Sequence, residues 1–329
     1  MSPRYSKVIV TGAAGFIGSQ LCDAILSEHL SSELVGVDNL RTGALKNLGE
    51  TMLTGMDLHE LDLAKADLPN ELFAEAEVVF HLAANPDVRI GKSDPSIDFT
   101  NNVLATHNLL EVLRRSAFGG TLVFTSTSTI YGEPTVIPTP ETYGPLIPIS
   151  SYGASKLACE ALIMGHAKLF GFNAKLIRLA NVVGGRSNHG VIRDFVQKLH
   201  ADPSHLDILG DGTQNKSYLH ISDCISALLL SVGVGDPVDA FNVGSSQNID
   251  VLTIARVVID EMNLSGVTVK TNANRTQDGR GWPGDVKTML LDCKKIANLG
   301  WDCRYSSAEA VELATREILS VPSWKDTKI

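Results

Sequence analysis

Three features of the chain predict an α/β fold, a doubly wound parallel sheet with a smaller C-terminal α/β lobe. A glycine-spaced loop, residues 11–18, separates a short apolar run from a longer apolar-periodic one. An acidic residue, Asp38, closes a second apolar run twenty positions after Gly18. Strand-like and helix-like segments then alternate through the first half of the 329 residues, the pattern of a parallel sheet covered on both faces.

The first strand is the buried run Val8-Ile9-Val10. It enters Thr11-Gly12-Ala13-Ala14-Gly15-Phe16-Ile17-Gly18 and then a helix reaching about residue 28. The glycines are spaced G-x-x-G-x-x-G, not the commoner G-x-G-x-x-G, but the physics is shared. Gly12 permits the tight turn, Gly15 lets backbone approach a pyrophosphate, and Gly18 lets helix pack close to strand, as in a Rossmann domain. The helix start offers free N–H groups and positive dipole to phosphates. The second strand, 34–37, ends in Asp38, placed to bind the hydroxyls of an adenosine ribose. Its charge repels a 2′-phosphate, which favours NAD over NADP; Arg41 nearby tempers this, because an arginine can accept that phosphate.

Further buried strands are expected at 78–82, 121–125 and 174–179, with helices at about 95–116 and 151–170. Ligands of such sheets bind beyond the carboxyl ends of the strands. Thr11, Asp38, Ala83, residues 125–127 and residues 180–181 stand at such ends and are expected to converge on one cleft. After Asn181 the pattern turns irregular, with a helix near 191–201, another at 221–232 and one more sheet strand at 240–243.

Tyr152 and Lys156 stand four apart in Ser150-Ser151-Tyr152-Gly153-Ala154-Ser155-Lys156, hence on one face of a helix. A phenol with a pKa of about 10 is a poor base at neutral pH, and a neighbouring ammonium stabilises the phenolate. The pair suits removal of a proton from a hydroxyl while a hydride leaves the same carbon.

Bulk properties narrow the class. Hydrophobic residues make up 44% and charged ones 20%, which suits a globular enzyme with a substantial core. The net charge of −9, without a basic block, argues against a nucleic-acid partner. Cys22, Cys159, Cys224, Cys293 and Cys303 are scattered, with no C-x-x-C, so neither a metal site nor a disulfide framework is expected. Reduced cysteines, the early first strand and the absence of an 18-residue apolar run point to a cytoplasmic protein without signal or membrane span. Residues 322–329 read as a frayed tail.

With these motifs in order the chain resembles the extended short-chain dehydrogenase/reductase superfamily. Within it the chain is most similar to NAD-dependent nucleotide-sugar epimerases of the UDP-glucose 4-epimerase type, archaeal-looking members included. The likeness covers nearly the full length. Besides the glycine loop, Asp38-Asn39-Leu40 and the Tyr152/Lys156 pair, it rests on Asp57-Leu58, His81-Leu82-Ala83-Ala84 and Asn101-Asn102-Val103. It continues in the run from Thr125 to Gly132, in Arg178-Leu179-Ala180-Asn181, in the run from Leu209 to Gln214 and in Gly281-Trp282-Pro283-Gly284-Asp285-Val286.

The resemblance implies residues 1–180 with about 221–261 as an NAD-binding domain, and about 181–220 with 262–329 as a nucleotide-sugar lobe. It implies Tyr152 as acid/base, Lys156 lowering its pKa and holding the nicotinamide ribose, and Thr127 orienting the substrate oxygen, with Ser126 as the other candidate. Relatives usually carry serine at the position of Thr127. The cofactor set would be Gly12, Gly15, Phe16, Ile17, Gly18, Asp38, Asn39, Asp57, Leu58, Leu82, Ala83, Ala84, Asn101, Thr125, Ser126, Leu179 and Val182, together with Tyr152 and Lys156. Asn181, His189, Gly190 and Val191 would meet the nucleotide diphosphate, and Asp285 its ribose. Lys216 and Trp282 stand where relatives carry phosphate-binding arginines, with Arg280 able to substitute and Trp282 able to stack on base or sugar. Lysine supplies charge without the bidentate fork. A residue near Met289 often gates N-acetylated sugars.

Ser128 and Thr129 replace the carboxylates that dehydratase and decarboxylase relatives use, which leaves hydride chemistry at one carbon. His81, His107 and His220 show no metal spacing and read as structural. Helices 95–116 and 151–170 are apolar over more than one stripe, and relatives pair these two helices into a homodimer.

Overall fold

The structure is a computed structural model that describes residues 3–65, 67–272 and 278–320. The expected tail at 322–329 lies outside these residues. The described residues fall into two compact units: those within 1–130, 151–178 and 225–241 form the first, and those within 131–150, 179–224 and 242–320 the second.

The first unit is built on strands β1 (Tyr5–Thr11), β2 (Ser31–Asp38), β3 (Asp57–Glu60), β4 (Val78–His81), β5 (Thr121–Thr127) and β6 (Asn173–Leu179), joined by Val238–Val243. Its helices are α1 (Phe16–Ser27), α2 (Glu50–Gly55), α3 (Asn70–Phe73), α4 (Pro95–Asp98), α5 (Ala105–Arg115) and α6 (Ser151–Phe170). The seven strands lie in the order Val238–Val243, β6, β5, β4, β1, β2, β3. The pairs β1–β2, β1–β4, β2–β3 and β4–β5 are parallel. This is the expected doubly wound sheet, whose strand order reverses between β1 and β4.

Apolar residues of the central strands, among them Ile9, Val35, Val79, Leu122 and Phe124, pack with Leu109, Leu113, Cys159 and Ile163 from α5 and α6. Continuous burial along these strands explains why their sequences run apolar rather than alternate. A bidentate ion pair ties α6 to β6: Arg178 donates to Glu160 at 2.8 and 3.1 Å, with both side chains buried.

The helix expected over 95–116 runs without interruption from Pro95 to Arg115, but it is not α-helical throughout. Between α4 and α5, Phe99–Leu104 forms a π-helical turn. Such a turn inserts a residue and rotates the next helical segment about its axis. Asn102 is thereby 1% exposed, while its neighbour Asn101 is only partly buried.

In the second unit helices Val191–Ala201, Val251–Glu261 and Ser307–Ser320 share a core of Phe195, Val196, Leu199, Ile254, Val258, Ala310 and Val311. Residues 242–261, expected with the nucleotide domain, therefore belong here, because the apolar face of Val251–Glu261 is buried in this core. Residues 131–150 also join this unit. The Tyr131 hydroxyl donates to Asn242 Oδ1 at 2.7 Å, and Thr139 exchanges backbone bonds with Leu290 and Asp292 at 2.8 and 2.9 Å.

Candidate active site

The glycine loop is shaped by close contact. Gly12 has φ +73°, and a Cβ there would lie 2.8 Å from the Ala83 nitrogen, so the loop presses on the end of β4. A Cβ on Gly18 would lie 2.0 Å from the Gly12 carbonyl oxygen, which brings α1 against the loop. Gly15 caps α1, and Phe16 and Ile17 open its first turn, where N–H groups lack intrahelical partners. Asp38 clamps the same loop. Its carboxylate accepts from the backbone N–H of Ala14 at 2.9 Å and of Leu40 at 2.8 Å. Burial pushes its pKa up, against the lowering by the N–H groups of Leu40, Ala14 and Asn39. Asn39 accepts from the Arg41 backbone N–H, and the Arg41 guanidinium reaches Asn101 Oδ1 at 3.4 Å.

β5 delivers Thr125, Ser126 and Thr127 to the carboxyl edge. The Thr127 hydroxyl accepts from the Thr129 N–H at 3.2 Å and lies 3.1 Å from the Thr129 hydroxyl. Ser126 Oγ is buried without a hydrogen-bond partner. Lys156 on α6 donates to the Thr125 carbonyl at 2.8 Å and stands 4.4 Å over the Phe124 ring. Its surroundings, chiefly burial, lower its pKa to about 8. Tyr152, in the first turn of α6, is half-buried. Its pKa is pushed up by burial first and then by the charges of Asp98 and Cys159. The expected lowering by Lys156 is therefore not seen. Withdrawal from water outweighs it, and the ammonium is engaged with Thr125.

His81, at the end of β4, bridges Thr11 Oγ1 at 2.8 Å and Thr106 Oγ1 at 2.9 Å. Burial, then the charge of Lys156, lowers its pKa to about 3, so it is a neutral internal strut. Leu82, Ala83 and Ala84 follow it beyond the strand end, where the Ala83 N–H donates to Thr11 Oγ1 at 3.3 Å.

Asp57 and Leu58 do not join this group. Asp57 opens β3 opposite Val35, three residues before Asp38, and its exposed carboxylate pairs with His59 at 2.8 Å. Ligand-facing positions lie at the other end of the strand. There the Leu61 N–H donates to the Asp38 carbonyl at 3.0 Å, and Asp62 and buried Leu63 come next. Two Asp-Leu pairs five residues apart fit the sequence equally well, and the strand register selects the later one. A depression of about 280 Å³ lined by Phe73, Glu75, Ser116 and Gly120 opens at the opposite, amino edge of the sheet, away from these residues.

The second unit holds the remaining expected residues. Leu179 ends β6, and Asn181 and Val182 lie in the strand Asn181–Val183, with the Asn181 amide donating to the Ser217 carbonyl at 3.3 Å. Gly190, at φ +100°, caps Val191–Ala201, and the His189 carbonyl accepts from Ser187 Oγ at 2.7 Å. Lys216 is ion-paired with Asp285, itself 3% exposed, and lies 5.6 Å over the Trp282 ring. Arg280 pairs with Glu133 at 2.6 Å and with Asp278, and donates to the Asp285 carbonyl at 2.8 Å. Glu133, then Asp278, holds its pKa above the ordinary arginine value. Met289 is 4% exposed in the strand Thr288–Met289, which pairs in parallel with Asn215–Lys216. Lys216, Trp282, Arg280 and Asp285 thus stand together, with both cations already on carboxylates.

These residues fit a bound dinucleotide. The glycine loop and α1 start suit a pyrophosphate, buried Asp38 suits a ribose diol, and Ser126 Oγ and the Lys156 ammonium remain for the other half.

The NAD dependent epimerase/dehydratase family matches residues 8–244. The UDP-glucose 4-epimerase of Mycolicibacterium smegmatis is 34% identical over 93% of this chain and 96% of its own. UDP-glucuronic acid decarboxylase 5 of Arabidopsis thaliana is 28% identical over 93% of this chain and 87% of its own. The crystal structure of a UDP-galactose 4-epimerase superposes with a TM-score of 0.82 at 38% identity, covering 95% of this chain and 98% of that one. By the match along more than half its length, the chain belongs to the NAD dependent epimerase/dehydratase family, and its cofactor is NAD.

Proposed function

We propose that the protein is an NAD-dependent nucleotide-sugar 4-epimerase and that UDP-glucose and UDP-galactose are its substrate pair. The observation that carries this reading is the turn after β5. Thr129 there offers a hydroxyl bonded to Thr127, where an elimination or decarboxylation would need a carboxylate. No acid at Ser128 or Thr129 is available to remove water or carbon dioxide from a 4-keto sugar.

NAD, when bound, takes up and returns the hydride at C4. The chain supplies the rest. Thr127 orients the C4 oxygen, and Tyr152, in its phenolate form, takes that oxygen's proton as the carbonyl forms and, as the phenol, gives it back as the other face is reduced. Lys156, largely protonated below its pKa of about 8, supplies positive charge on the same side. Asp62 and Leu63 replace Asp57 and Leu58 in the cofactor set, and Asn181, residues 189–191, Lys216 and Asp285 take the nucleotide.

The relatives at similar identity include a decarboxylase as well as epimerases, and the ion pairs on Lys216 and Arg280 favour a second reading. In that reading the reaction is the same but the nucleotide or the sugar differs. A cytoplasmic homodimer completes the proposal.

The test uses UDP-galactose deuterated at C4. The expected result is an equilibrium mixture of the two epimers, label retained at C4 and no steady rise in NADH absorbance. Loss of label to solvent, or free NADH with a ketosugar, overturns the proposal.

A further inference from the structure

A buried polar chain runs through the first unit to the backbone of Tyr152. It starts at Asp98, the last residue of α4, whose side chain is 0% exposed. Asp98 Oδ1 accepts from Asn85 Nδ2 at 2.8 Å. The Asn85 backbone N–H donates to Asn102 Oδ1 at 2.8 Å. Asn102 Nδ2 donates to Ser155 Oγ at 2.8 Å, and that hydroxyl donates to the Tyr152 carbonyl at 2.8 Å. Asn85, Asn102 and Ser155 are 5%, 1% and 7% exposed, so water does not replace these bonds.

Two further observations mark Asp98 as more than a loop brace. Its second oxygen, Oδ2, is buried without a hydrogen-bond partner, a costly state for a carboxylate that a purely structural role does not require. Gly91 packs between Asp98 and the first residue of α6: a Cβ there would lie 2.5 Å from Asp98 Oδ2 and 2.9 Å from Ser151 Cβ. The π turn lies between, and it carries Asn102 inward.

We propose that Asp98 is a positioning residue for Tyr152, acting through Asn85, Asn102 and Ser155 to fix the first turn of α6. The proposal rests on Tyr152 being the acid/base. Ser155 holds the carbonyl of that residue, so a shift anywhere along the chain moves the phenol relative to C4. A misplacement of about 1 Å can lower turnover by about a hundredfold without weakening binding.

The experiment compares Asp98→Ala, Ser155→Ala, Asp98→Asn and Tyr152→Phe in the NAD-loaded protein with UDP-galactose. Each is measured for kcat, KM, NAD affinity and thermal midpoint. Asp98→Ala and Ser155→Ala are expected to lower kcat about tenfold or more, with KM and NAD affinity kept within about twofold. Asp98→Asn should recover most of the loss, because its amide oxygen still accepts from Asn85. Combining the two alanine changes should cost little beyond either alone.

Wild-type kcat in both alanine variants overturns the positioning role. A fall of kcat, NAD affinity and thermal midpoint together also overturns it, since that is the mark of a structural brace. If Asp98→Ala does not fold, Ser155→Ala decides alone. Tyr152→Phe separates the two levels. If it is inactive while the alanine variants turn over normally, the epimerase reading stands and only the positioning falls. If Tyr152→Phe turns over like the wild type, the acid/base assignment itself has failed.

Discussion

Lys156 carries the largest conflict at the scale of a single residue. The residue is 2% exposed, and its ammonium donates to a neutral carbonyl. The folded protein therefore holds this proton more weakly than the unfolded chain, with a pKa lowered from 10.5 to about 8. Below pH 8 both states bind the proton and the penalty is constant. Between about 8 and 10.5 the unfolded state binds more protons, so stability rises with pH. Lys156→Met removes the titrating group and loses the bond to Thr125. The wild type is expected to gain stability relative to this variant as pH rises from about 8 to 10.5, read from denaturation midpoints across that range. A difference that stays flat across the range would show that the ammonium is not destabilised by burial. The same burial pushes the Tyr152 phenol up, so the phenolate that accepts the C4 proton depends on positive charge brought beside it. A pair that looks self-activating by spacing alone is governed by its removal from water.

Among the elements, α6 and β6 share apolar packing and a buried ion pair. Glu160 is 0% and Arg178 8% exposed. Removing the carboxylate takes the ion partner from a buried guanidinium, so Glu160→Leu is expected to lower stability by about 3–5 kcal/mol. The double variant Glu160→Leu/Arg178→Met should lose less than the single one, because neither charge is then left alone. Urea titrations of the three proteins decide this, and a double variant weaker than the single one would put the cost in packing instead. α6 itself is readable from 151–170, as are β1, α1, β2 and Asp38, because apolar period and glycine spacing mark them locally. The π turn is not readable in the same way. It changes a backbone hydrogen-bond pattern and leaves the composition of a helix unchanged. A doubled asparagine inside an apolar helical stretch is its one local signal. β3 shows the other kind of limit, since strand register depends on the neighbouring strand and not on the Asp-Leu pairs themselves.

Over the whole molecule, the division into units departs most from the boundaries expected of the sequence, and for a related reason. Residues 131–150 have no periodicity to assign them, and only distant partners such as Asn242 and Leu290 fix their place. Association with a second copy is the part of the proposal that belongs to this scale. On the first unit, Met164 and Leu169 of α6 are 38% and 77% exposed, Phe170 at its end is 45% exposed, and Phe99 in the π turn is 60% exposed. Inward-facing Cys159, Ile163 and Ala167 already fill the core side of the same helix. Four large apolar side chains on two neighbouring helical segments are more than a surface helix needs. A twofold pairing of these helices would bury them against their own copies. Met164→Glu/Leu169→Glu places like charges on the exposed side of α6 and is expected to turn a dimer into a monomer in sedimentation experiments, with the fold of each copy kept. A wild-type protein that sediments as a monomer, or a double-glutamate variant that remains dimeric, would remove these helices as the contact. The exposed apolar side chains would then need a different occupant.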